Sequence, residues 1–529
     1  MLRDAPAPLP VRWGALAAAL GGLAGVAAFP RYGIWPLALL SVALLSWAVD
    51  GRRSRTGAWL GLVYGAAFFG PLLHWTGVYV GAAPWLLLAG AQATFLAGLG
   101  AVLPLVQRLP VAPLWVGAAW VLEEALRDRL PFGGFPWGRL AFSQADSPLR
   151  WFAALGGQPM LSFAVAVLGG ALTVTARHVR PLSWRALAGC LAVLVLVPAL
   201  AGLRAWVGTS GSTGRPLQIA VVQGSVPDRG IAFEDRVRQV LDNHVAQTLK
   251  LAAQVQRGTV PKPDLVIWPE NASDVDPYRD AAAAAQISRA VTAVDAPVLV
   301  GAILQGPGAQ HRRNAGILWS PETGPGAVYV KRHPVPFAEY VPLRGLAERV
   351  SSAAKLVTQD MVAGHGNGLL KGGPVPIGDA ICFEVAYDDL VRSSVEAGAQ
   401  LLVVQTNNAT FGHTAETYQQ LAMSRLRAVE TGLPVVQAST TGLSAIVGPD
   451  GGLVTRSGAL FRPAILSARI DPGSGSTLAM YLGPGPEYVL AALAVLGAGA
   501  SVSRSRRRRR SERAEGSGRS SPSDEMVAR

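Results

Sequence analysis

The 529-residue chain has few charged residues and very little cysteine or histidine. Its two cysteines, Cys190 and Cys382, lie in segments of different character, which excludes a disulfide scaffold. The seven histidines include no His-x-x-x-His pair and no cysteine cluster accompanies them, so we predict no metal site. The sequence also lacks a Walker-type loop and a Rossmann glycine pattern, so we expect neither a nucleotide nor another cofactor.

Apolar residues are abundant instead. Half of the residues are hydrophobic, 15% are charged, and the mean hydropathy is +0.31, which is typical of a membrane protein. Apolar stretches of about 20 residues, the length that crosses a bilayer core, recur in the first part of the chain, whereas its middle has ordinary polarity. We therefore predict a membrane domain and a soluble domain in one chain.

The apolar stretches predict about eight membrane spans. Seven of them form a membrane domain at 1–208, and the eighth lies at 481–500. A flexible linker at 209–216 leads to a soluble domain at 217–472, and the basic tail at 501–529 is expected to be disordered. The seven N-terminal spans are predicted near 12–29, 34–49, 58–80, 83–106, 110–126, 151–176 and 186–207.

Positive charge predicts the orientation of these spans. With eight spans, the arginines beside the second, fourth, seventh and eighth all face one side, which the positive-inside rule identifies as the cytoplasm. Both termini are then cytoplasmic and the soluble domain is extracytoplasmic. The terminal tract "SRSRRRRRSER" fits attraction to anionic membrane lipid better than binding of nucleic acid, which is not expected. The loop after the fifth span disagrees, because it puts Arg127, Arg129, Arg139 and Arg150 on the outer side.

Short β-branched runs alternate with helical patterns in the soluble domain. The runs include "LQIAVVQG", "DLVIWPE" and "LLVVQTNN", and helical patterns lie at 233–256 and 415–431. This alternation predicts a layered α/β domain with a buried sheet. Ligands of open α/β sheets bind beyond the ends of the strands.

Three of these runs end in groups that can carry out chemistry. "DLVIWPEN" supplies Glu270, "VYVKRHPVPFAEYVPL" supplies Lys331 and Glu339, and "GDAICFE" supplies Cys382 and Glu384. A carboxylate can take the proton of a thiol, and an ammonium can stabilise the thiolate and a tetrahedral oxyanion, so we expect acyl transfer through a thioester. Each residue also has a plainer interpretation, as a small buried side chain, a turn residue or a solvated charge.

Together, the three stretches resemble the nitrilase superfamily, whose Glu-Lys-Cys triad occurs in this chain order on an αββα sandwich. The membrane spans and the loop "GFPWGRLAFSQ" narrow the resemblance to the apolipoprotein N-acyltransferases, a family of bacterial inner-membrane enzymes. The resemblance implies that Glu270 is the general base, Lys331 the charge stabiliser and Cys382 the nucleophile. It also implies supporting roles for Glu339 and Glu384.

The resemblance suggests substrate-binding residues as well, although some positions depart from the family pattern. Phe383 stands where the family usually has tyrosine, Thr410 stands where it has tryptophan, and Phe233 replaces a tryptophan expected after "VQGSVP". We interpret Trp75 as an interfacial anchor, and the loop that carries Trp137 as a contact for lipid head groups or a gate. The candidate substrate-binding residues are Trp137, Arg139, Phe233, Phe383, Asn407 and Phe411.

The implied reaction has two half-reactions. Cys382, deprotonated by Glu270, attacks an acyl ester of a phospholipid, and the α-amine of the S-diacylglyceryl cysteine of an apolipoprotein then takes the acyl chain. A phospholipid donor and an apolipoprotein acceptor are thus the expected partners of a monomeric enzyme. Two alternatives remain open, a membrane-tethered nitrilase-type amidohydrolase in which water takes the thioester, and a transporter whose soluble domain only binds a ligand.

Overall fold

The computed structural model describes residues 10–178, 214–226, 233–350 and 352–517, and a few residues between 188 and 200. Most of the predicted seventh span at 186–207 and most of the predicted linker at 209–216 lie outside these residues.

The N-terminal part is a bundle of apolar helices at the positions of the first six predicted spans. Within the described residues, four helices of the chain are long and apolar enough to cross a membrane, or five if the bent segment at 54–80 is one span. This finding supports a membrane domain, although fewer of the described helices are long and apolar enough than the eight spans predicted. The N-terminal helices are α1 (Val11–Ala28), α2 (Pro36–Val49), α3 (Ser54–Leu72), the single turn α4 (Gly77–Val80), α5 (Ala82–Val106), α6 (Ala112–Arg127) and α7 (Ala153–His178).

Glycines let α3 and α5 pack in direct backbone contact. Gly57, Gly61 and Gly65 recur every four residues of α3 and therefore lie on one face of the helix. A Cβ atom on Gly61 would lie 2.1 Å from the carbonyl oxygen of Leu96 in α5, so a larger side chain would push the helices apart. Small residues at such spacing are typical of helix packing in membranes, where close backbone approach replaces the hydrophobic effect.

The predicted span at 58–80 is not one straight helix. Helix α3 ends at Leu72, one residue after Pro71, and the segment His74–Val80 continues at an angle of 55° to it. Proline has no N–H to donate and its ring crowds the preceding turn, so helices bend or end beside it. The bend turns Trp75 inward, and only 3% of this side chain is exposed.

The soluble domain contains two sheets that pack face to face, with helices on their outer faces, which is the predicted αββα arrangement. One sheet has the order β13-β1-β2-β3-β4-β5, with β6 paired to β4, and the other has the order β12-β11-β10-β9-β8-β7. The strands are β1 (Leu217–Gln223), β2 (Leu265–Ile267), β3 (Val298–Gln305), β4 (His311–Ser320), β5 (Gly324–Val330), β6 (Asp360–Met361), β7 (Leu369–Leu370), β8 (Ile377–Ile381), β9 (Leu401–Thr406), β10 (Val435–Ser439), β11 (Ala445–Val447), β12 (Leu453–Arg456) and β13 (Ala464–Ile470).

Side-chain alternation along β1 divides the core into two parts. Ile219 and Val221 belong to the core between the sheets, whereas Ala220 and Val222 pack against the outer helices. Strands buried on both faces read as continuous apolar runs, which explains why "LQIAVVQ" shows no polar alternation. Strands β1, β2 and β3 are parallel in one sheet and β8, β9 and β10 in the other, so their carboxyl ends open on shared edges.

Seven further α-helices lie in the described residues after 214, and the last three of them contact helices of the membrane part. The seven are α8 (Phe233–Gln256), α9 (Ala281–Val294), α10 (Arg344–Val350), α11 (Asp388–Glu396), α12 (Glu416–Thr431), α13 (Leu478–Leu482) and α14 (Gly485–Ser517). Helix α12 is buried almost throughout, because it packs between β10 and α7 of the membrane bundle. Helix α14 continues through Ser517 and so includes the first part of the tail at 501–529 for which we predict disorder, while 518–529 lie outside the described residues.

Candidate active site

Cys382 lies in a tight turn directly after strand β8. The strand ends at Ile381, and Cys382 begins a 3-10 turn over Cys382–Ala386 with a φ of +58°. Such a φ is unusual for a residue with a Cβ atom, and strained positions of this kind cluster at functional sites. Cys382 is buried, with 6% of its surface exposed. The turn therefore holds one sulfur atom beyond the end of a central strand.

Glu384 fixes this turn to the segment that follows β5. Its buried carboxylate accepts hydrogen bonds from the N–H groups of Ile381 (2.8 Å), Arg332 (2.8 Å) and His333 (3.0 Å). The hydroxyl of Tyr329 donates a further bond at 2.9 Å. Because these donors come from both sides of the site, Glu384 sets the position of Cys382 relative to the neighbouring lysine.

Glu270 and Lys331 meet at the edge of the first sheet. Glu270 follows β2 and accepts hydrogen bonds from Asn314 Nδ2 (2.7 Å) and from the N–H of Asn407 (2.8 Å). The Nζ atom of Lys331 lies 3.4 Å from Glu270 and 2.8 Å from Glu339. The structure thus brings together the predicted base, the predicted ammonium and the supporting carboxylate, each of them largely buried.

Burial shifts the acid–base properties of these groups. It raises the pKa of Glu270, although the charge of Lys331 opposes the shift. Burial lowers the pKa of Lys331, but the charges of Glu339 and Glu270 outweigh it and leave this pKa above its ordinary value. A carboxylate with a raised pKa is a better proton acceptor near neutral pH, and the lysine stays an ammonium.

The thiol itself resists ionisation. Burial raises the pKa of Cys382 well above its ordinary value, Glu270 raises it further, and Lys331 lowers it. A resting thiol is therefore protonated at neutral pH, so the sulfur must lose its proton to a base as it attacks. Glu270, which interacts with the Cys382 thiol, is the carboxylate that could act as this base.

Aromatic side chains from both parts of the chain form a wall beside the nucleophile. The ring of Phe383 lies 4.7 Å from Trp137, 5.8 Å from Trp75 and 6.0 Å from Phe135, measured between centroids. Phe411 packs on Trp75 at 4.9 Å. We call Trp75, Phe135, Trp137, Phe383 and Phe411 the aromatic wall. Three of its residues come from the membrane part, so neither part forms this surface alone.

Trp75 is a residue that sequence reasoning misassigned. We predicted an interfacial anchor, but its ring is buried against the aromatic wall. Pro71, four residues earlier, could have indicated the bend that buries Trp75, because helices bend or end beside a proline.

Two of the predicted substrate-binding residues make contacts within the protein. Arg139 is 2% exposed, and its guanidinium contacts Asp388 and Asp128 at 2.8 Å, so it is not free to bind a lipid head group. The side chain of Asn407 accepts from Thr440 at 2.9 Å, and its own contribution to the site is its backbone N–H. Phe233 begins α8, and its side chain lies outside the described part of the chain.

The acidic contacts of Arg139 explain why it departs from the charge rule. Asp388 begins α11 and also contacts Arg427 of α12 at 2.7 Å. Arg427 donates to the carbonyl oxygens of Val385 and Ala386 in the turn that contains Cys382. Because these carboxylates neutralise the buried guanidinium of Arg139, this residue adds no net positive charge to the loop. The same ionic chain connects the membrane loop to the nucleophile turn.

Comparison with known proteins identifies the family. Residues 21–171 match the family model "Apolipoprotein N-acyltransferase N-terminal domain", and residues 218–479 match that of the carbon-nitrogen hydrolases. An apolipoprotein N-acyltransferase from Mycolicibacterium smegmatis is 41% identical over 507 residues, which cover 91% of this chain and 84% of the relative. The chain belongs to the apolipoprotein N-acyltransferases. This membership confirms the predicted family, the nitrilase-like soluble domain and the predicted enzyme class, an acyltransferase.

A more distant relative agrees with this assignment. The apolipoprotein N-acyltransferase of Azotobacter vinelandii is 31% identical over 510 residues, which cover 91% of this chain and 93% of the relative. Among solved structures, an amidase of the nitrilase superfamily from Nesterenkonia is 18% identical, with a TM-score of 0.38. That alignment covers 53% of this chain and 98% of the amidase.

Proposed function

We propose that this member of the family transfers a fatty acyl chain from a membrane phospholipid, through a thioester on Cys382, to an apolipoprotein. The acceptor is the α-amine of the S-diacylglyceryl cysteine at the apolipoprotein N-terminus. One observation carries the proposal. Glu270 and Lys331 form a buried pair beside Cys382, against an aromatic wall that the membrane part completes.

In the first half-reaction, the sulfur of Cys382 bonds to the carbonyl carbon of the phospholipid ester while Glu270 takes the thiol proton. The ammonium of Lys331 stabilises the negative oxygen of the tetrahedral intermediate. The carbon–oxygen bond to glycerol then breaks, and the leaving alkoxide takes the proton back from Glu270. The products are a thioester and a lysophospholipid.

In the second half-reaction, the α-amine of the acceptor attacks the thioester carbon. Glu270 takes a proton from the attacking nitrogen, and Lys331 again stabilises the oxyanion. The carbon–sulfur bond breaks and Cys382 leaves as a thiolate, which regains its proton from Glu270. The acceptor amine ends as an amide, and the enzyme returns to its starting state.

The aromatic wall gives the acyl chain a surface beside the sulfur. A fatty chain is stabilised by contact with apolar surface, at roughly 25 cal/mol for each Å² removed from water. Trp75 and Trp137 belong to the membrane part and Phe383 follows the nucleophile directly. We infer that the chain enters from the membrane side and ends with its ester at Cys382.

We further propose the arrangement of the protein in the membrane. The chain crosses the membrane about eight times, seven times within 1–208 and once at 481–500. Both termini then lie in the cytoplasm, and the catalytic domain at 217–472 lies on the extracytoplasmic side of the bacterial inner membrane. Arginine-rich loops on one side support this orientation. Arg139, one of the four arginines that depart from this orientation, is buried and paired with carboxylates, which is compatible with the proposal. We propose that the enzyme acts as a monomer.

The test is the product formed by the purified protein from a phospholipid and a diacylglyceryl peptide. We expect an N-acylated peptide together with lysophospholipid, and no product with Cys382→Ser. Free fatty acid without N-acylated peptide would instead support the amidohydrolase alternative, in which water takes the thioester. Peptide acylation that survives Cys382→Ser would refute the proposed role of the thiol.

A further inference from the structure

Two uncharged side chains point at the sulfur of Cys382. The hydroxyl of Thr406, the last residue of β9, lies 3.4 Å from Sγ. The Nε2 atom of Gln420, in the second turn of α12, lies 3.8 Å from Sγ. Both side chains are fully buried, so water does not compete for these contacts. Neither residue has a role in the mechanism above.

The orientation of the Gln420 amide follows from its other neighbours. Its Oε1 atom accepts hydrogen bonds from Asn408 Nδ2 and from the Thr406 hydroxyl, each at 2.9 Å. Because donors occupy the oxygen side, the NH₂ group must face the sulfur, where it can only donate. In the reverse orientation the NH₂ group of Gln420 would face the Nδ2 group of Asn408, which can only donate.

Asn408 is itself oriented by a backbone group. The N–H of Gly442 donates to the Ser439 hydroxyl at 2.8 Å, so this hydroxyl directs its proton to Asn408 Oδ1. The Nδ2 group of Asn408 therefore faces Gln420, and its second proton reaches Glu416 at 2.7 Å. A chain of fixed polarity thus runs from Gly442 through Ser439, Asn408 and Gln420 and ends as a donor to sulfur.

Thr406 can follow the charge on the sulfur. Its hydroxyl has one proton and two acceptors within reach, Gln420 Oε1 and Cys382 Sγ. A neutral thiol is a weak acceptor, so the proton then favours the amide oxygen. A thiolate is a charged acceptor and attracts the same proton, because hydrogen bonds to ionised groups are about twice as strong.

The sulfur needs such donors because of the charges around it. Glu270 from the end of β2 and Glu416 from α12 oppose a negative sulfur, and Lys331 from the end of β5 favours it. Lys331 is shared with Glu270 and Glu339, at 3.4 and 2.8 Å. Burial raises the pKa of Glu416 to about 8, so this carboxyl is mostly neutral at pH 7 and adds little repulsion there.

We propose that Thr406 and Gln420 are further catalytic residues, which donate hydrogen bonds to the sulfur of Cys382 and stabilise its thiolate form in both half-reactions. This inference rests on the proposed role of Cys382 as the nucleophile. The donors favour the sulfur when it carries charge, as it begins to attack the ester and as it leaves the thioester. They contribute little while the sulfur is acylated, since a thioester sulfur is a poor acceptor.

The test uses the full chain with Cys190→Ser, so that Cys382 is the remaining thiol. The rate of alkylation by iodoacetamide is measured from pH 6 to 10 for Thr406→Val, Thr406→Ser and Gln420→Leu. Loss of one donor to a charged sulfur should make alkylation about three- to tenfold slower at each pH on the rising limb. Cleavage of the acyl-enzyme by hydroxylamine should slow as well, and Thr406→Ser should restore both rates.

The direction of the change separates a catalytic role from a structural one. Looser packing around a buried thiol would make alkylation faster, whereas loss of a donor makes it slower. Ser424→Ala is the matched control, because Ser424 lies one turn further along α12 and bonds Gln437 at 2.7 Å, with no contact to the sulfur. We expect the parental pH profile from this control.

Alkylation of Thr406→Val at or above the parental rate at every pH would overturn the proposal, whether or not Gln420→Leu folds. Alkylation needs no lipid, so the outcome is independent of the proposed function. Slower alkylation in a protein that makes no N-acylated peptide would refute that function, while the stabilisation of the Cys382 thiolate by these two donors would stand.

Discussion

Replacement of Glu384 is the most demanding test of how the nucleophile is positioned. Its carboxylate accepts from two buried donors, the N–H of Ile381 and the hydroxyl of Tyr329, and from two partly buried ones, the N–H groups of Arg332 and His333. A buried donor left without a partner costs about 1–3 kcal/mol. At about 2 kcal/mol for each of the two buried donors, Glu384→Ala should lose about 4 kcal/mol of unfolding free energy, a large part of the roughly 5–15 kcal/mol of a typical domain.

Smaller changes at the same carboxylate should give a graded series. Glu384→Gln keeps one acceptor oxygen but turns its NH₂ group toward the N–H of Ile381, so we expect a loss of about 1–3 kcal/mol. Tyr329→Phe removes a single donor and leaves three in place, so its loss should be about 1 kcal/mol. Acylation should fall in the same order, because each step loosens the turn that holds Cys382.

The assay combines thermal unfolding in detergent with single-turnover acylation from phospholipid. The reasoning predicts that Tyr329→Phe retains most of both properties, Glu384→Gln retains part, and Glu384→Ala retains least. If Glu384→Ala unfolded at the parental temperature and acylated at the parental rate, the carboxylate would not be the link between the turn and the lysine segment.

Three further predictions concern the chemistry and the acyl chain. Glu270→Gln should slow thioester formation about 10²–10⁴-fold, because it removes the general base, while circular dichroism stays unchanged. The single-turnover acylation rate should fall as the pH decreases through the raised pKa of Glu270, and this fall should begin at a higher pH than it would for a free glutamate. Lys331 should cause no loss of rate at moderately alkaline pH, because its pKa is raised and it stays charged there. Trp75→Ala should slow acylation from long-chain phospholipids more than from short-chain esters, with Trp75→Phe close to the parent, because the aromatic wall loses chain contact. Equal losses on both substrates would argue against that role.

The strand ends that carry the proposed triad could be predicted from the sequence because the signals are local. Glu270, Lys331 and Cys382 each follow an apolar run directly, and strands that are buried on both faces read as such runs. Their chain order then matched a known family. A local pattern does not show which strand ends meet in the fold. For these three residues, the expectation that they meet came from the resemblance to the family.

Contacts between distant segments account for what sequence reasoning missed. Trp75 reaches Phe383 because a bent helix turns it inward, and the direction of a bend is set by packing. Arg139 reads as a charge on the wrong side of the membrane, but Asp388, which neutralises it, lies 249 positions later. Gln420 is separated from Cys382 by 38 positions and by a strand, so no motif contains both.

The most direct test of the central claim is the mass of the protein after incubation with phospholipid alone, with Cys190→Ser as the parent. We predict a mass increase of one acyl chain that maps to the peptide containing Cys382, disappears with hydroxylamine, and passes to the α-amine of an added diacylglyceryl peptide. The claim would be contradicted by an acyl group on any other residue, or by N-acylated peptide formed while Cys382 stays unmodified throughout the reaction.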